Sequence, residues 1–297
     1  MSQPPGAPAR LRVGVVGTGR VGAVLGAALA AAGHHVVACS AVSQASLDRA
    51  ATLLRGVPVR EVPDVARAAD LVLLAVPDDD LAGLVRGLAD TGALRPGQVV
   101  VHPGGRHGIG VLEPAARLGA LPLALHPAMT FTGTALDLDR LVGCCFAVTT
   151  TRELRPVGEA LVLEMAGEPV WVEEEDRALY HAALCHTSNH LVTLVAQGRQ
   201  LLEAAAIEDP ARVLRPILTA ALDNALRSGD AALTGPVSRG DAGTLAEHLT
   251  ALTAHPDVRP TYLALARETA RRARAAGRLR PDLADRVEAV LEQEETP

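Results

Sequence analysis

Three short stretches of this chain bring together residue types that could do chemistry. In Gly17-Thr18-Gly19-Arg20-Val21-Gly22, three glycines stand at the spacing with which backbone cradles a pyrophosphate. The first allows a tight turn, the second lets backbone approach the phosphates, and the third lets a helix pack on a strand. In Tyr180-His181-Ala182-Ala183-Leu184-Cys185-His186-Thr187-Ser188-Asn189, a helix would set His181, Cys185, Ser188 and Asn189 on one face. His181 could give a proton to a carbonyl or an imine there, with Ser188 and Asn189 orienting the acceptor. The alternative is a satisfied polar seam between helices. The third stretch, Thr234-Gly235-Pro236-Val237-Ser238-Arg239-Gly240-Asp241, is a turn-rich loop. Thr234, Arg239 and Asp241 are candidate substrate-binding residues, Arg239 as a bidentate carboxylate clamp. Asp241 is also placed to cap the next helix, and the loop reads equally well as a plain connector with a surface arginine.

Two more histidines, His102 and His126, close apolar runs and are followed by proline. Either could face a ligand, and His126 is a further substrate-binding candidate. The competing reading is a strand-end histidine hydrogen-bonded to its own loop. His186 and His190 form an HxxxH without the glutamate that metalloprotease chemistry needs, and the acidic run Glu173 to Asp176 suits a solvated helix start, so no metal site is expected. The chain has 28 basic residues and every one is arginine. With no lysine there is no Schiff base, and a proton donor must be His, Asp, Glu, Tyr, Cys or water.

The elements around these residues decide what they can mean. Leu11 to Val16 runs into the glycine stretch as a β-branched strand, Ala23 to Ala32 leaves it as an alanine-rich helix stopping at Gly33, and His35 to Cys39 is a second strand. That βαβ context makes the glycine stretch a dinucleotide site, with helix N–H groups turned to the phosphates. Further strands are expected at 58–62, 71–77, 98–102, 121–126 and 145–149, with helices between them, including 46–54, 64–69 and 78–90. Strands alternating with helices predict a doubly wound parallel (Rossmann) sheet over residues 11–151. Residues 152–297 are predicted as an all-helical substrate and dimerisation domain, with helices at 155–166, 174–206, 210–229, 242–254, 260–276 and 281–292, although 168–172 also reads as a strand. Residues 1–10 read as a disordered lead without the apolar core of a signal peptide.

Gly17, Thr18, Gly19, Arg20, Val21 and Gly22 are accordingly the expected cofactor loop, with Ala75, Val76 and Pro77 at the end of the third long strand beside it. Where an acidic residue would hold the ribose hydroxyls of NAD, this chain has Ser40 and Ser43. Two hydroxyls and Arg20 in place of a carboxylate favour the 2′-phosphate of NADP(H), although no arginine directly follows the second strand to clamp it. The formal net charge of −6 and an aromatic content of 2% argue against a nucleic-acid partner. No apolar run is long enough to span a membrane, and four cysteines without a disulfide framework fit a reduced cytoplasmic enzyme.

Taken together, the glycine loop, Ala69 to Asp79, Leu125-His126-Pro127-Ala128-Met129-Thr130-Phe131, Tyr180 to Ala183 with Ser188 to Leu191, and Leu233 to Pro236 with Arg239-Gly240-Asp241 resemble the Rossmann-like proteins that carry a C-terminal domain of unknown function, number 2520. That family is similar to pyrroline-5-carboxylate reductase, ketopantoate reductase and the deazaflavin-linked NADP oxidoreductases. The resemblance implies a nicotinamide-binding N-domain and an all-helical C-domain of the 6-phosphogluconate-dehydrogenase-like type that often forms a homodimer. Ordinary ketopantoate reductases use a lysine as acid, so this chain would need His181 or water instead. The expectation is an NADPH-dependent oxidoreductase reducing a small 2-oxo acid or a cyclic imine. The alternatives are a non-catalytic dinucleotide-binding sensor and a reductase with a deazaflavin partner.

Overall fold

The computed structural model describes residues 10–293, so the lead expected over residues 1–10 lies, apart from Arg10, outside the described residues. The first part of the chain alternates strands and helices: β1 (Arg12–Val16), α1 (Arg20–Ala31), β2 (His35–Ser40), α2 (Gln44–Leu53), α3 (Val62–Ala68), β3 (Leu71–Leu74), α4 (Asp78–Asp90), β4 (Val99–His102), α5 (Glu113–Ala116), β5 (Leu121–Pro127), α6 (Leu136–Leu141), β6 (Cys145–Thr150), α7 (Arg155–Glu164) and β7 (Glu168–Trp171). They build a seven-stranded sheet in the order β2-β1-β3-β4-β5-β6-β7. Strand order reverses between β1 and β3, and in doubly wound sheets ligands bind at such a switch point, beyond the carboxyl ends of the strands.

Continuous apolar strands are what a sheet covered on both faces requires. Alternate residues of β3 divide between the faces: Leu71 and Leu73 pack with Val13, Val15, Leu25, Leu161 and Met165, while Val72 and Leu74 pack with Val65, Leu81, Val85 and Leu112. The sheet departs from the all-parallel expectation at one pair, since β6 runs antiparallel to β5 with His126 opposite Ala147. An antiparallel neighbour needs no long crossover, and only the short α6 lies between these strands. The strand expected at 58–62 is reduced to a single bridge from Val59 to Cys39. Pro58 has no N–H to extend a ladder, and Val62 with Pro63 already opens α3.

The rest of the chain is helical: α8 (Arg177–Ala204), α9 (Pro210–Ser228), α10 (Pro236–Arg239), α11 (Ala242–Ala251), α12 (Arg259–Ala275) and α13 (Pro281–Glu292). Packing divides the chain into one compact unit ending at Ser188 and a second beginning at Asn189. The first unit extends past the boundary expected near Thr151 because β7 rejoins the sheet beside β6 and Arg177, at the start of α8, is buried against β5 and β6. The second unit has its own core of Val237, Leu245, Leu249, Leu263, Ala270, Val287 and Leu291. Two of its helices lie largely outside that core: the α8 residues from Asn189 onward bury none of their side chains and leave Leu191, Val192 and Leu194 exposed, and α9 is similar. It buries only Pro210 and leaves Val213, Ile217, Leu222 and Leu226 exposed. Among the described residues, no helix is long and apolar enough to cross a membrane.

Candidate active site

The glycine stretch lies at the switch point, between the end of β1 and the start of α1. Gly17 has a φ of 88°, and a methyl on it would meet Ala75 O at 2.5 Å. A methyl on Gly22 would overlap Gly17 O and come within 2.7 Å of Ala75 Cβ. Gly19 is different: it is the N-cap of α1 without a side-chain cap, and a methyl there would meet nothing within 4 Å. The turn is therefore closed at its two ends and open at Gly19, where helix N–H groups would otherwise lack partners. Such a cradle can take a pyrophosphate. Ala75 packs against both outer glycines, and Pro77 is the N-cap of α4, so the Ala75-Val76-Pro77 segment stands beside the loop as expected.

The hydroxyls expected near the cofactor have hydrogen-bond partners within the protein. Ser40 is buried and its Oγ accepts from Gly17 N at 3.0 Å. Ser43 Oγ caps α2 by accepting from Ser46 N and donates to Ser46 Oγ. Thr18 is fully buried and donates to Ser40 O and Ser46 O. These three side chains brace the loop. The positive charge comes from elsewhere. A methyl on Gly133, whose φ is 80°, would meet both Arg20 Cγ and Arg49 Nε at 2.8 Å. Two arginines thus flank Gly133, and neither has an ion pair or hydrogen bond among the described residues. The turn they flank is itself pinned, because buried Asp137 accepts from Thr132 N, Thr132 Oγ1 and Gly133 N. Arg49 was not a sequence candidate: it lies in the middle of α2, nine positions beyond β2 by its number, and only the fold returns it to the loop.

Along the same edge of the sheet, β4 and β5 end in His102 and His126. His102 is fully buried with both ring nitrogens engaged by its own loop. Gly104 N donates to Nδ1 at 3.1 Å, which leaves the proton on Nε2 to donate to Gly108 O at 2.8 Å. This is the loop-satisfied histidine, and burial holds its pKa down at about 4. His126 belongs to a cluster instead. Its Nδ1 is 2.9 Å from the Tyr180 hydroxyl, and its ring meets His181 edge-on at 5.9 Å between centroids. Burial, then His181, then Arg177 push its pKa down to about 4, while burial lifts Tyr180 to about 12. His181 Nε2 also touches Cys185 Sγ at 3.5 Å, the i, i+4 contact anticipated for this helix face.

Gly105 lets the two rings approach. A methyl on it would lie 2.5 Å from His181 Cδ2, 2.9 Å from His126 Nε2 and 3.0 Å from His181 Nε2. Both Nε2 atoms therefore lie close to one α-carbon. The loop carrying Gly105 is fixed at its far end by Glu174, whose carboxylate accepts from Ile109 N and Gly110 N. One member of the acidic run is thus a loop clasp and not merely a solvated helix start.

Arg177 completes the cluster and was invisible to sequence reasoning, which treats a lone arginine as surface. It is 1% exposed. Nε donates to Thr149 Oγ1 at 2.7 Å and Nη2 to Ala124 O and Ala147 O, whereas Nη1 has no hydrogen-bond partner among the described residues. No carboxylate among the described residues bonds to it, and its charge adds a smaller push to the burial that holds His102 and His126 neutral.

The remaining candidates are more dispersed. Ser188 is exposed and donates to Leu184 O within α8. Asn189 opens the second unit. There, Thr234 and Arg239 line a cleft of about 570 Å³ together with Ser238, Arg278 and Arg280. Asp241 is the N-cap of α11, accepting from Thr244 N and Thr244 Oγ1, so its carboxylate serves the helix. Among the described residues no group of three or more His, Cys, Asp or Glu could hold a metal ion.

Comparison with known proteins adds family and fold. Residues 1–127 match the Rossmann-like domain and residues 144–269 match the domain of unknown function (DUF2520). No curated protein sequence matches the chain. Among solved structures, a candidate NADP oxidoreductase from Bacteroides fragilis is 21% identical, with 88% of this chain and 98% of that one covered at a TM-score of 0.75. A reductive aminase from Aspergillus terreus, solved with NADPH and ethyl levulinate, is 15% identical over 95% and 99% at 0.63. A pyrroline carboxylate reductase from Plasmodium falciparum, solved with NADP bound, is 12% identical over 90% and 98% at 0.55. At these identities the likeness is one of fold.

Proposed function

From a chain that joins a Rossmann-like domain to a domain of unknown function (DUF2520), we propose an NADP(H)-dependent reductase of a small C=O or C=N compound, a 2-oxo acid or a cyclic imine. The observation that carries the reading is the steric pattern of the loop: no room for a side chain at Gly17 or Gly22, and open space at Gly19. The loop from Gly17 to Gly22 would hold the pyrophosphate, Arg20 and Arg49 the 2′-phosphate, and Ala75 to Pro77 the nicotinamide side. When bound, the reduced nicotinamide supplies a hydride. His181 is the proton donor, which suits a chain without lysine. Ser188 and Asn189 orient the acceptor. Arg239 and Thr234 line a polar cleft of the second unit whose chemistry suits a carboxylate. The solved neighbours bound to NADP and NADPH favour the same cofactor.

We read a second copy of the chain as the partner of α9. Its exposed pairs Val213/Ile217 and Leu222/Leu226 lack cover within their own unit, and apolar side chains in such number on one helix mark an interface.

The test is NADPH oxidation by the purified protein across 2-oxo acids, ketopantoate included, and cyclic imines, pyrroline-5-carboxylate included. Turnover with at least one compound is expected, reduced on the order of 10²-fold by His181→Ala. Tight NADPH binding with no oxidation anywhere in the panel would replace this reading with a dinucleotide sensor.

A further inference from the structure

We propose that the reducible group is a carbonyl and not an imine, held at its oxygen by the Nε2–H groups of His126 and His181 together. The proposal rests on the reductase reading above. Its first support is proximity: both Nε2 atoms lie within 3.0 Å of the point where a side chain on Gly105 would begin, so they stand next to one another. Glycine at that position is what lets the two Nε2 atoms stand this close to each other beside the loop.

The second support is the tautomer of His126. Tyr180 stays protonated across the working range and its hydroxyl sits on Nδ1. A hydroxyl that donates to Nδ1 leaves the ring proton on Nε2, and the neutral ring becomes a fixed N–H donor at that atom. Arg177 acts in the same direction by disfavouring a second proton on the ring. Tyr180 and Arg177 are thus positioning residues, and the donor is His126. A neutral imidazole used as an electrophilic donor is a known way to polarise a carbonyl.

The third support is a count of lone pairs. A carbonyl oxygen has two in its plane and can accept from two donors at once. A neutral imine nitrogen has one, and an iminium has none. Two N–H donors brought to one atom are therefore satisfied by a carbonyl, whereas an imine would leave one of them unpaired.

The step balances. A hydride adds to the carbonyl carbon, forming a C–H bond and oxidising the dihydronicotinamide. The C=O π pair moves to oxygen, and the proton on His181 Nε2 passes to that oxygen, turning imidazolium to imidazole and giving an alcohol. His126 keeps its proton and stabilises the developing charge. The contact from His181 to Cys185 Sγ at 3.5 Å is weak enough for the oxygen to replace it.

Two measurements on the full-length protein decide the matter. In steady-state assays with NADPH, ketone and 2-oxo acid substrates should exceed matched cyclic imines by at least about 10²-fold in kcat/KM, the scale on which an unpaired site donor discriminates. His126→Leu should lose about 10²-fold in kcat with little change in KM, the usual effect of removing one such donor, and His126→Gln, whose amide nitrogen can take the place of Nε2, should recover part of it. In long-range nitrogen–proton NMR of the cofactor-free protein, His126 should carry its proton on Nε2, and Tyr180→Phe should shift the ring toward the Nδ1–H form. Reduction of imines with ketones untouched overturns the carbonyl assignment and leaves the reductase reading standing. Turnover of neither class removes both. A His126 protonated on Nδ1 in the native protein overturns the two-donor grip whatever the activity.

Discussion

The Tyr180 hydroxyl and His126 Nδ1 are 2.9 Å apart although 54 residues of chain separate them. That bond ties the end of β5 to the first turns of α8, and it fixes which nitrogen of His126 is turned to the loop at Gly105. Chemistry at this edge of the sheet therefore depends on a helix that enters only after the last strand has been laid down.

Neutral buried histidines give stability a particular pH dependence. His102 and His126 are held at about 4, below the ordinary value near 6.5, chiefly by burial. Between those pH values the unfolded chain binds more protons than the folded one, so stability is fully present above about pH 6.5 and falls as pH drops toward 4. The slope should approach, at most, about 2.7 kcal/mol per pH unit, one proton per ring. Urea unfolding across this range checks it. A flat profile, or one unchanged in His126→Gln, would show that the rings are not held neutral.

The glycines of the loop should separate folding from binding. Gly22→Ala forces a methyl into Gly17 O and should unfold or strongly destabilise the first unit, by more than about 3 kcal/mol. Gly19→Ala meets nothing and should leave the thermal midpoint nearly unchanged, yet weaken NADPH binding at least tenfold by standing where phosphate approaches. Thermal unfolding and a fluorescence titration on the two variants would decide, and Gly19→Ala binding as tightly as wild type would count against the cradle.

How much of this was legible beforehand depends on the range over which each feature is specified. The turn from β1 to α1 is encoded locally, by glycines whose roles follow from spacing, and α13 begins at Pro281 as a proline at the first helical turn should. The Asp241 cap is equally local. Long-range features were not legible. Arg177 looks like a surface residue until strand ends supply Ala124 O and Ala147 O, and Arg49 looks like a helix surface until Gly133 folds against it. That Ser40 and Ser43 brace the turn was not legible either, because a hydroxyl there has the same composition whether it faces outward or bonds to the loop. The reversed β6 also left no mark, since apolar runs are alike in either direction.

Cofactor preference should reside in Arg49 as much as in Arg20. Arg49→Ala is expected to weaken NADPH binding about tenfold, the loss of one charge-assisted contact, while leaving NADH binding within twofold. Parallel titrations with the two dinucleotides measure this, and equal losses for both would point to a structural role at Gly133 instead.

Association should depend on α9. Ile217→Glu combined with Leu226→Glu places charge on two sides of a helix that has little cover in its own unit. Light scattering should report a dimer for the wild type and a monomer for the double variant, with helical circular dichroism preserved. A wild type that is already monomeric would leave α9 without the proposed partner.

Arg177 has a consequence beyond its hydrogen bonds. Many sites borrow their positive charge from the medium as an ion that chelators strip, competitors displace and scarcity removes. Here the charge is part of the covalent chain, sealed behind strand carbonyls and, even with burial lowering it, losing its proton only near pH 10. The positive charge beside His102 and His126 is thereby inherited through one codon, and it is the same in every molecule whatever ions the cell happens to hold.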